Sequence, residues 1–393
     1  MIWLLFACTG SSKLPDVIVG DPSGDSVPDS VSESPVDDSV DPDMMQEMRG
    51  IWVTRFSWSQ QSELEPIFDE IAAAGFNTVF FQVRGNFDAY YDSNYEPWSS
   101  RLSGTLGQDP GWDPLAVAIE LAHARGLALH AYINTFPMWS GESPPASVGL
   151  PHPLQTHPEW LVADQNGTPI ALNSSYVFAS PGNVDVRAWV ATVAADITAH
   201  YAVDGIHLDY IRYPGTQYSY DAASAAAYAA SGSGDHAAWQ REQVTDTARR
   251  VYDAVDVPVT AAVWGIYENS FGWSGVSQGN IDYFQDSGAF LEEGVLDADI
   301  PMIYWGVTDT PGDRLDFRTL AADHLSRAHG RHVYPGITAE DGLDVAVKCA
   351  QAARELGAPG YVLFDWSQGS GWLDDFGAAM HTEPAVPPSM SWR

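Results

Sequence analysis

The feature that most constrains this chain is an alternation. Between residues 46 and 381, eight short apolar runs of β type are separated by longer amphipathic or alanine-rich stretches. The strand candidates are "RGIWVTRF", "NTVFFQVRG", "LALHAYINT", "GIHLDYIRYP", "PVTAAVWG", "DIPMIYWG", "HVYPGITA" and "GYVLFDWS". Helical patterns follow them in turn, from "ELEPIFDEIAAAG" through "GNIDYFQDSGAFLEEG" to "GWLDDFGAAMH", and several close on Gly, as helix C-termini often do. Eight β/α units in about 335 residues fit a (β/α)8 barrel, which takes about 250 residues before insertions. A doubly wound open sheet would carry a Gly-rich phosphate loop after its first strand, and "RGIWVTRFSW" has no GxGxxG. No repeat of solenoid length is present. The expectation is an α/β fold, a single-domain TIM barrel.

The flanks differ in kind. Residues 9–45 are rich in Asp, Ser and Pro and almost free of aromatic residues. Such a segment buries too little apolar surface to offset its ordering entropy, so it is expected to be a disordered acidic linker. Residues 382–393, "TEPAVPPSMSWR", form a short Pro-rich tail.

Charge then limits the partners. The 393-residue chain holds 18 Lys and Arg against 52 Asp and Glu, a formal net charge of -34. Nucleic acid and anionic lipid surfaces would be repelled. Its 2 cysteines, Cys8 and Cys349, are too few for a disulfide framework. No GxSxG or HExxH spacing occurs. His152 and His157 lie in a Pro-containing loop with little promise for metal, and the acidic linker lacks EF-hand spacing. No cofactor, metal or protein partner is expected.

The strands themselves carry the functional signal. Successive side chains alternate faces, and a barrel strand buried on both should be apolar on both. Three strands depart from this in the same way. Val79, Phe81 and Val83 oppose Gln82 and Arg84; Leu129, Ala131 and Ile133 oppose His130, Tyr132 and Asn134; Ile206 and Leu208 oppose His207 and Asp209. Polarity towards the axis grows at the C-terminal ends, where active sites of this fold lie. One such residue alone would be ordinary internal pairing.

Asp209 is the leading candidate for catalysis, with Arg84 or Arg212 able to stabilise its charge and Tyr213 on the rim. Cleavage of a glycosidic bond needs a second carboxyl group. Glu268, Asp309, Glu340, Asp341 and Asp365 follow other strands; Glu340 and Asp365 are preferred as the acid, and Asp341 has the placing of a helix N-cap. Trp264, Tyr304, Trp305 and Trp366 at strand ends offer flat apolar faces suited to sugar rings. Trp98, Trp139 and Trp273 lie in connections on the same side.

Taken together, "RGIWVTRF", "GFNTVFFQVRGNFDAYYDS", "HPEWLV", "YAVDGIHLDYIRYP", "WQREQVTD" and "GAPGYVLFDW" resemble the bacterial family-10-like glycosyl hydrolases, over about Met48 to Trp366. The resemblance implies a (β/α)8 barrel, glycoside hydrolysis and, in many members, attachment to the envelope as lipoproteins; some relatives act on peptidoglycan glycan strands. It supports Asp209 as the central acid and Arg84, Asn134, His207, Arg212 and Tyr213 as groove residues. "AAVWGIYEN" and "FDWSQG" depart from the family's aromatic pattern.

The chain opens with "MIWLLFACTG". Its apolar run is far too short to span a bilayer. "LFAC" resembles a lipoprotein processing box, which makes residues 1–8 signal-like, Cys8 the lipidated residue, and the cell envelope the expected location. Two functions remain: a tethered hydrolase of an envelope or extracellular polysaccharide, and a carbohydrate-binding lipoprotein on a barrel that no longer turns over substrate.

Overall fold

Parallel strands can be joined only by long crossovers, and the chain supplies a helix for each. The computed structural model describes residues 44–392. Its barrel strands are β1 (Met48–Val53), β2 (Thr78–Arg84), β3 (Ala128–Asn134), β4 (Gly205–Asp209), β5 (Val259–Trp264), β6 (Ala298–Met302), β7 (Gly336–Thr338) and β8 (Gly360–Phe364). Each pairs in parallel with the next, and β8 returns to β1 through the register Gly360↔Met48 to Leu363↔Ile51. The sheet is therefore a closed eight-stranded barrel, as the alternation predicts.

Seven principal crossover helices join the strands, α1 (Leu64–Ala73), α2 (Pro114–His123), α3 (Val184–His200), α4 (His236–Ala254), α5 (Ser287–Glu292), α6 (Phe317–Leu325) and α7 (Leu343–Glu355), and α8 (Leu373–Met380) follows the last strand. Side chains of Asp113, Asn183, Asp235 and Asp316 accept backbone N–H groups at the starts of α2, α3, α4 and α6, satisfying donors that have no partner inside the helix. Three expectations are corrected by the structure. "GNIDYFQDSGAFLEEG" is two short helices, Gly279–Asp282 and α5, because Phe284 takes a left-handed φ of 54° and Asp286 caps a new start. The N-cap of α7 is Gly342, one residue beyond Asp341, and no side chain caps it. The run "HVYPGITA" is also interrupted: His332–Val333 and Gly336–Thr338 both pair with β6, with Pro335, which has no N–H, between them.

Outward-facing Val79, Phe81, Val83, Leu129, Ala131, Ile133, Ile206 and Leu208 join the buried layer between sheet and helices. Inside the barrel, Met48, Trp52, Phe80, Tyr132, Ile300, Tyr334 and Val362 fill the axis. Glycines make room for the rings inside the barrel. A Cβ on Gly205 would stand 2.4 Å from the His130 ring, and one on Gly50 would stand 2.8 Å from Phe80.

Insertions ornament the C-terminal mouth. Between β3 and α3, Pro137–Ser140 and Tyr176–Phe178 form an antiparallel ribbon. Between β4 and α4 lies an unforeseen helix, Ala222–Ser231, whose alanine and serine content carries little apolar periodicity. At the other end, Ala385–Val386 pairs with Met45–Gln46, and the Trp392 indole donates to Asp297 at 2.7 Å. The Pro-rich segment thus packs on the barrel as far as residue 392.

Two stability predictions follow from this interior. Gly205→Ala should overpack the His130–Phe80 layer, whose rings are 5.1 Å apart, and cost about 1–3 kcal/mol in urea unfolding. Burial pushes His130, His324 and His381 down to about 4. An unfolded histidine titrates near 6.5, so below that value the unfolded chain takes up protons that the fold refuses. Their contribution is therefore present above about pH 6.5 and declines as pH falls towards 4. His324→Gln should show a shallower decline of urea midpoint than the parent over that window, a comparison that cancels the carboxylates.

Candidate active site at the barrel mouth

Strand β4 ends in Asp209, which is aligned with Asn134 on β3. Asp209 is 7 % exposed, and its carboxylate is held from three directions. The Tyr132 hydroxyl donates to Oδ2 at 2.6 Å, the Tyr210 N–H donates to Oδ1 at 2.6 Å, and Arg212 Nη1 stands 3.6 Å from Oδ1. The Tyr210 contact requires a backbone turn: Tyr210 sits at φ 51°, a left-handed conformation uncommon for a bulky residue. The same turn brings Arg212 back beside the strand end, where its guanidinium lies over Tyr210 at 4.3 Å and Trp264 at 5.3 Å. Burial, with the Asp209 charge adding to it, pushes the Tyr210 hydroxyl up to about 12. That phenol stays protonated.

The second carboxylate at the mouth is Asp365, immediately after β8. It lines the same cavity of about 390 Å³ as Asp209, Tyr132, Asn134, Gln82, Arg212 and Tyr304. Its Oδ1 accepts from Ser367 Oγ at 2.7 Å and from the Gln368 N–H at 3.1 Å, and its Oδ2 faces Thr54 Oγ1 at 3.4 Å. Burial raises the Tyr304 hydroxyl well above its usual range, and the charges of Asp209 and then Asp365 raise it further. One phenol therefore feels both carboxylates.

The remaining acidic candidates lie elsewhere. Glu340 is exposed and absent from the cavity wall; its N–H donates to Thr338 Oγ1 at 3.1 Å. Asp309 and Asp341 are exposed, and Glu268 receives a hydrogen bond from Asn280.

Other expected site residues divide into layers. Gln82 donates to Asn134 Oδ1 at 3.2 Å and accepts the Arg55 N–H at 3.1 Å. Arg84, fully buried, is committed to Glu96 by two 2.7 Å hydrogen bonds and to the carbonyls of Asn134 and Thr135. It braces the loop beside the mouth, so the guanidinium next to Asp209 belongs to Arg212. His130 and His207 sit beneath the cavity. Trp52 Nε1 donates to His207 Nε2 at 3.0 Å, which leaves the His207 proton on Nδ1, 2.9 Å from Thr260 Oγ1. Burial drives His207 well below the usual range. Tyr213 is buried against Ser219 and Phe284, away from the cavity.

The aromatic candidates occupy two side hollows. Trp264 and Trp305 line a largely apolar cavity of about 270 Å³ that shares Arg212, Met302 and Tyr304 with the central one. Trp366, its indole donating to Glu70 at 2.9 Å, lines an outer hollow of about 600 Å³ with Phe56. Cys8 lies outside the described residues.

Several lining residues escaped the sequence reading. Arg55 and Phe56 stand one turn beyond β1, and the polarity rule that exposed Asp209 stops at the strand end. Tyr176, which accepts from Arg55 Nη2 at 2.7 Å, arrives on the inserted ribbon, for which no periodic signal exists. Two buried donors at the mouth, Asn134 Nδ2 and Arg212 Nη1, have no hydrogen-bond partner within the protein. Among the described residues, no group of three or more His, Cys, Asp and Glu side chains has the closeness needed to hold a metal ion. His152 accepts the Leu154 N–H and pairs with the Asn86 carbonyl, and His157 stacks on Trp160.

The chain has relatives of known family. The chain is 26% identical over 288 residues to glycosyl hydrolase YngK of Bacillus subtilis, covering 66% of this chain and 54% of that protein. It is 27% identical over 335 residues to glycosyl hydrolase DigH of Escherichia coli, covering 77% and 73%. The chain thus spans about half the length of the first of these relatives. Its backbone is similar to the glycoside hydrolase domain of PgaB (BpsB) from Bordetella bronchiseptica, with TM-score 0.58, 14% identity, and coverage of 85% and 99%. The catalytic domain of β-amylase from Paenibacillus polymyxa gives TM-score 0.55 at 13% identity, over 86% and 100%. Residues 47–345 match the model of the family glycosyl hydrolase-like 10, and the chain is a member of that family.

Proposed function

We propose that this protein hydrolyses O-glycosyl bonds in an envelope or extracellular polysaccharide, with peptidoglycan glycan strands the favoured substrate. The observation that carries the reading is the convergence of Asp209 and Asp365, from the ends of β4 and β8, on one cavity at the end of the barrel where this fold places its chemistry. Asp209 takes the role of nucleophile, base or stabiliser of developing positive charge, since every contact it makes donates to it or attracts it. Asp365 is the partner that exchanges a proton with the leaving oxygen. Two carboxyl groups in these complementary roles are what glycoside cleavage requires. The unpartnered donors of Asn134 and Arg212 suit hydroxyl and acyl oxygens of a sugar, because a buried donor left unpaired is costly.

Asp209→Asn should lower release of new reducing ends from glycan strands by at least about 100-fold, the scale of a lost acid or base. Its thermal midpoint should remain close to that of the parent. Activity equal to the parent would sink the mechanism.

A second reading has one observation in its favour: Asp365 Oδ1 already caps the short helix Trp366–Gly369, a structural task. On that reading the barrel binds glycan without cutting it. Saturable binding with no reducing ends released from acid to neutral pH would establish it, and Asp365→Asn would then bind as well as the parent.

For location, we propose that Cys8 carries a lipid that holds the barrel at a membrane surface. Among the described residues no helix is long and apolar enough to cross a bilayer. Labelled palmitate should enter the full-length protein in a bacterial host and be absent from Cys8→Ala; unlabelled parent protein would exclude the anchor.

A further inference from the structure

We propose that the central cavity is the middle of a through-cleft with sugar sites on both sides of Asp209, so that the protein engages the interior of a polysaccharide chain. This deepens the hydrolase reading and rests on it for the consequence that cleavage is internal.

Three hollows share walls. The apolar one and the central one are joined by Arg212, Met302 and Tyr304, and the central and outer ones meet at Phe56. The apolar hollow belongs to the ends of β5 and β6, while the outer one belongs to the connections after β8 and β1. In a ring of eight staves these positions are three apart, nearly across the mouth from each other. A chain entering over one can leave over the other.

Each arm has aromatic surfaces placed for sugar rings. One holds Trp264 and Trp305. In the other, Phe56 is 60% exposed, yet its ring is flanked by the guanidinium groups of Arg55 at 4.5 Å and Arg101 at 4.6 Å. Cation–π contacts of this kind fix an aromatic plane that water would otherwise leave free to turn. An exposed apolar ring held in one orientation beside a catalytic cavity serves contact with a ligand.

The junction supplies an independent observation. Arg212 is 7% exposed, and its Nη1 has no hydrogen-bond partner although Asp209 is only 3.6 Å away. It stands in the wall between the central and apolar hollows. A sugar oxygen on a residue spanning that wall would satisfy it. Ligand confined to the central cavity would leave the exposed Phe56 ring and the outer hollow without contact.

The test uses Asp209→Asn protein, with chito-oligosaccharides from disaccharide to octasaccharide and long peptidoglycan glycan strands as probes. By calorimetry the octasaccharide should bind at least about tenfold more tightly than the disaccharide, as one or two added stacking contacts would give. Adding Trp305→Ala or Phe56→Ala should each remove most of that advantage while thermal midpoints hold. Affinity independent of chain length, or absent for every probe, overturns the cleft. The unaltered enzyme should cut strands whose reducing ends have been chemically reduced, giving products of mixed length from the first time points. Stepwise release of one short product overturns internal cleavage. Length-dependent binding with no cutting at all supports the cleft and overturns the hydrolase reading.

Discussion

A carboxylate that is almost wholly buried has to be surrounded by donors, and the hydrogen bond from Tyr132 to Asp209 is the one around which this barrel mouth is arranged. Tyr132 can reach Asp209 because β3 and β4 pair in a register that sets it opposite His207, two residues before the Asn134–Asp209 pair and on the same face. That register depends on the interior below. The Phe80 and His130 rings occupy space that Gly50 and Gly205 leave empty, and His207 is pinned by Trp52 on one side and Thr260 on the other. Packing at the bottom of the barrel thus places an oxygen at its top.

The polar residues of the inner face form a graded series. Deepest are His130 and His207, kept neutral by burial, which act as packing groups with hydrogen-bonding edges. Above them Gln82 and Asn134 pair with each other while one Asn134 donor stays open. At the rim come Asp209, Asp365 and Arg212, whose charges face the cavity. Neutral polar groups tolerate depth; a charged one is either paired, as Arg84 is with Glu96, or placed on the cavity wall where ligand can reach it.

This gradient explains what the sequence could tell. Strand alternation exposed Asp209, Tyr132 and Asn134, because a period of two is enforced along the whole strand. The same argument placed Arg84 beside Asp209, and there it failed: the Glu96 that captures Arg84 comes from a loop, and no periodicity announces which loop residue turns inward. Glu340 and Asp365 were equivalent by position, each just past a strand. Only the fold distinguishes an exposed loop acid from one that closes the cavity. Phe56 was missed for the same reason, since it lies beyond the last residue that the barrel pleat controls, and Tyr176 because it belongs to an inserted ribbon outside the barrel sheet. The order of the principal helices was legible, whereas the extra helix Ala222–Ser231 and the break at Phe284 were not: the first has little apolar periodicity, and a single left-handed residue leaves the apolar pattern on both sides intact.

The electrostatics of the mouth run against those of the chain. A net charge of -34 sets a repulsive field for any anion at a distance. Yet Arg55, Arg101 and Arg212 all stand at or beside the central cavity, and each has an aromatic ring at its face. Screening confines the general field to about 8–10 Å in physiological salt, so a ligand already in the cleft meets mainly the local cations. Aromatic faces contribute here in two ways. They offer apolar surface to a sugar ring, and they hold guanidinium groups without neutralising them as a carboxylate would. Arg212 thus keeps Nη1 open at the mouth although Asp209 is beside it, where a bidentate grip like that of Glu96 on Arg84 would have closed it.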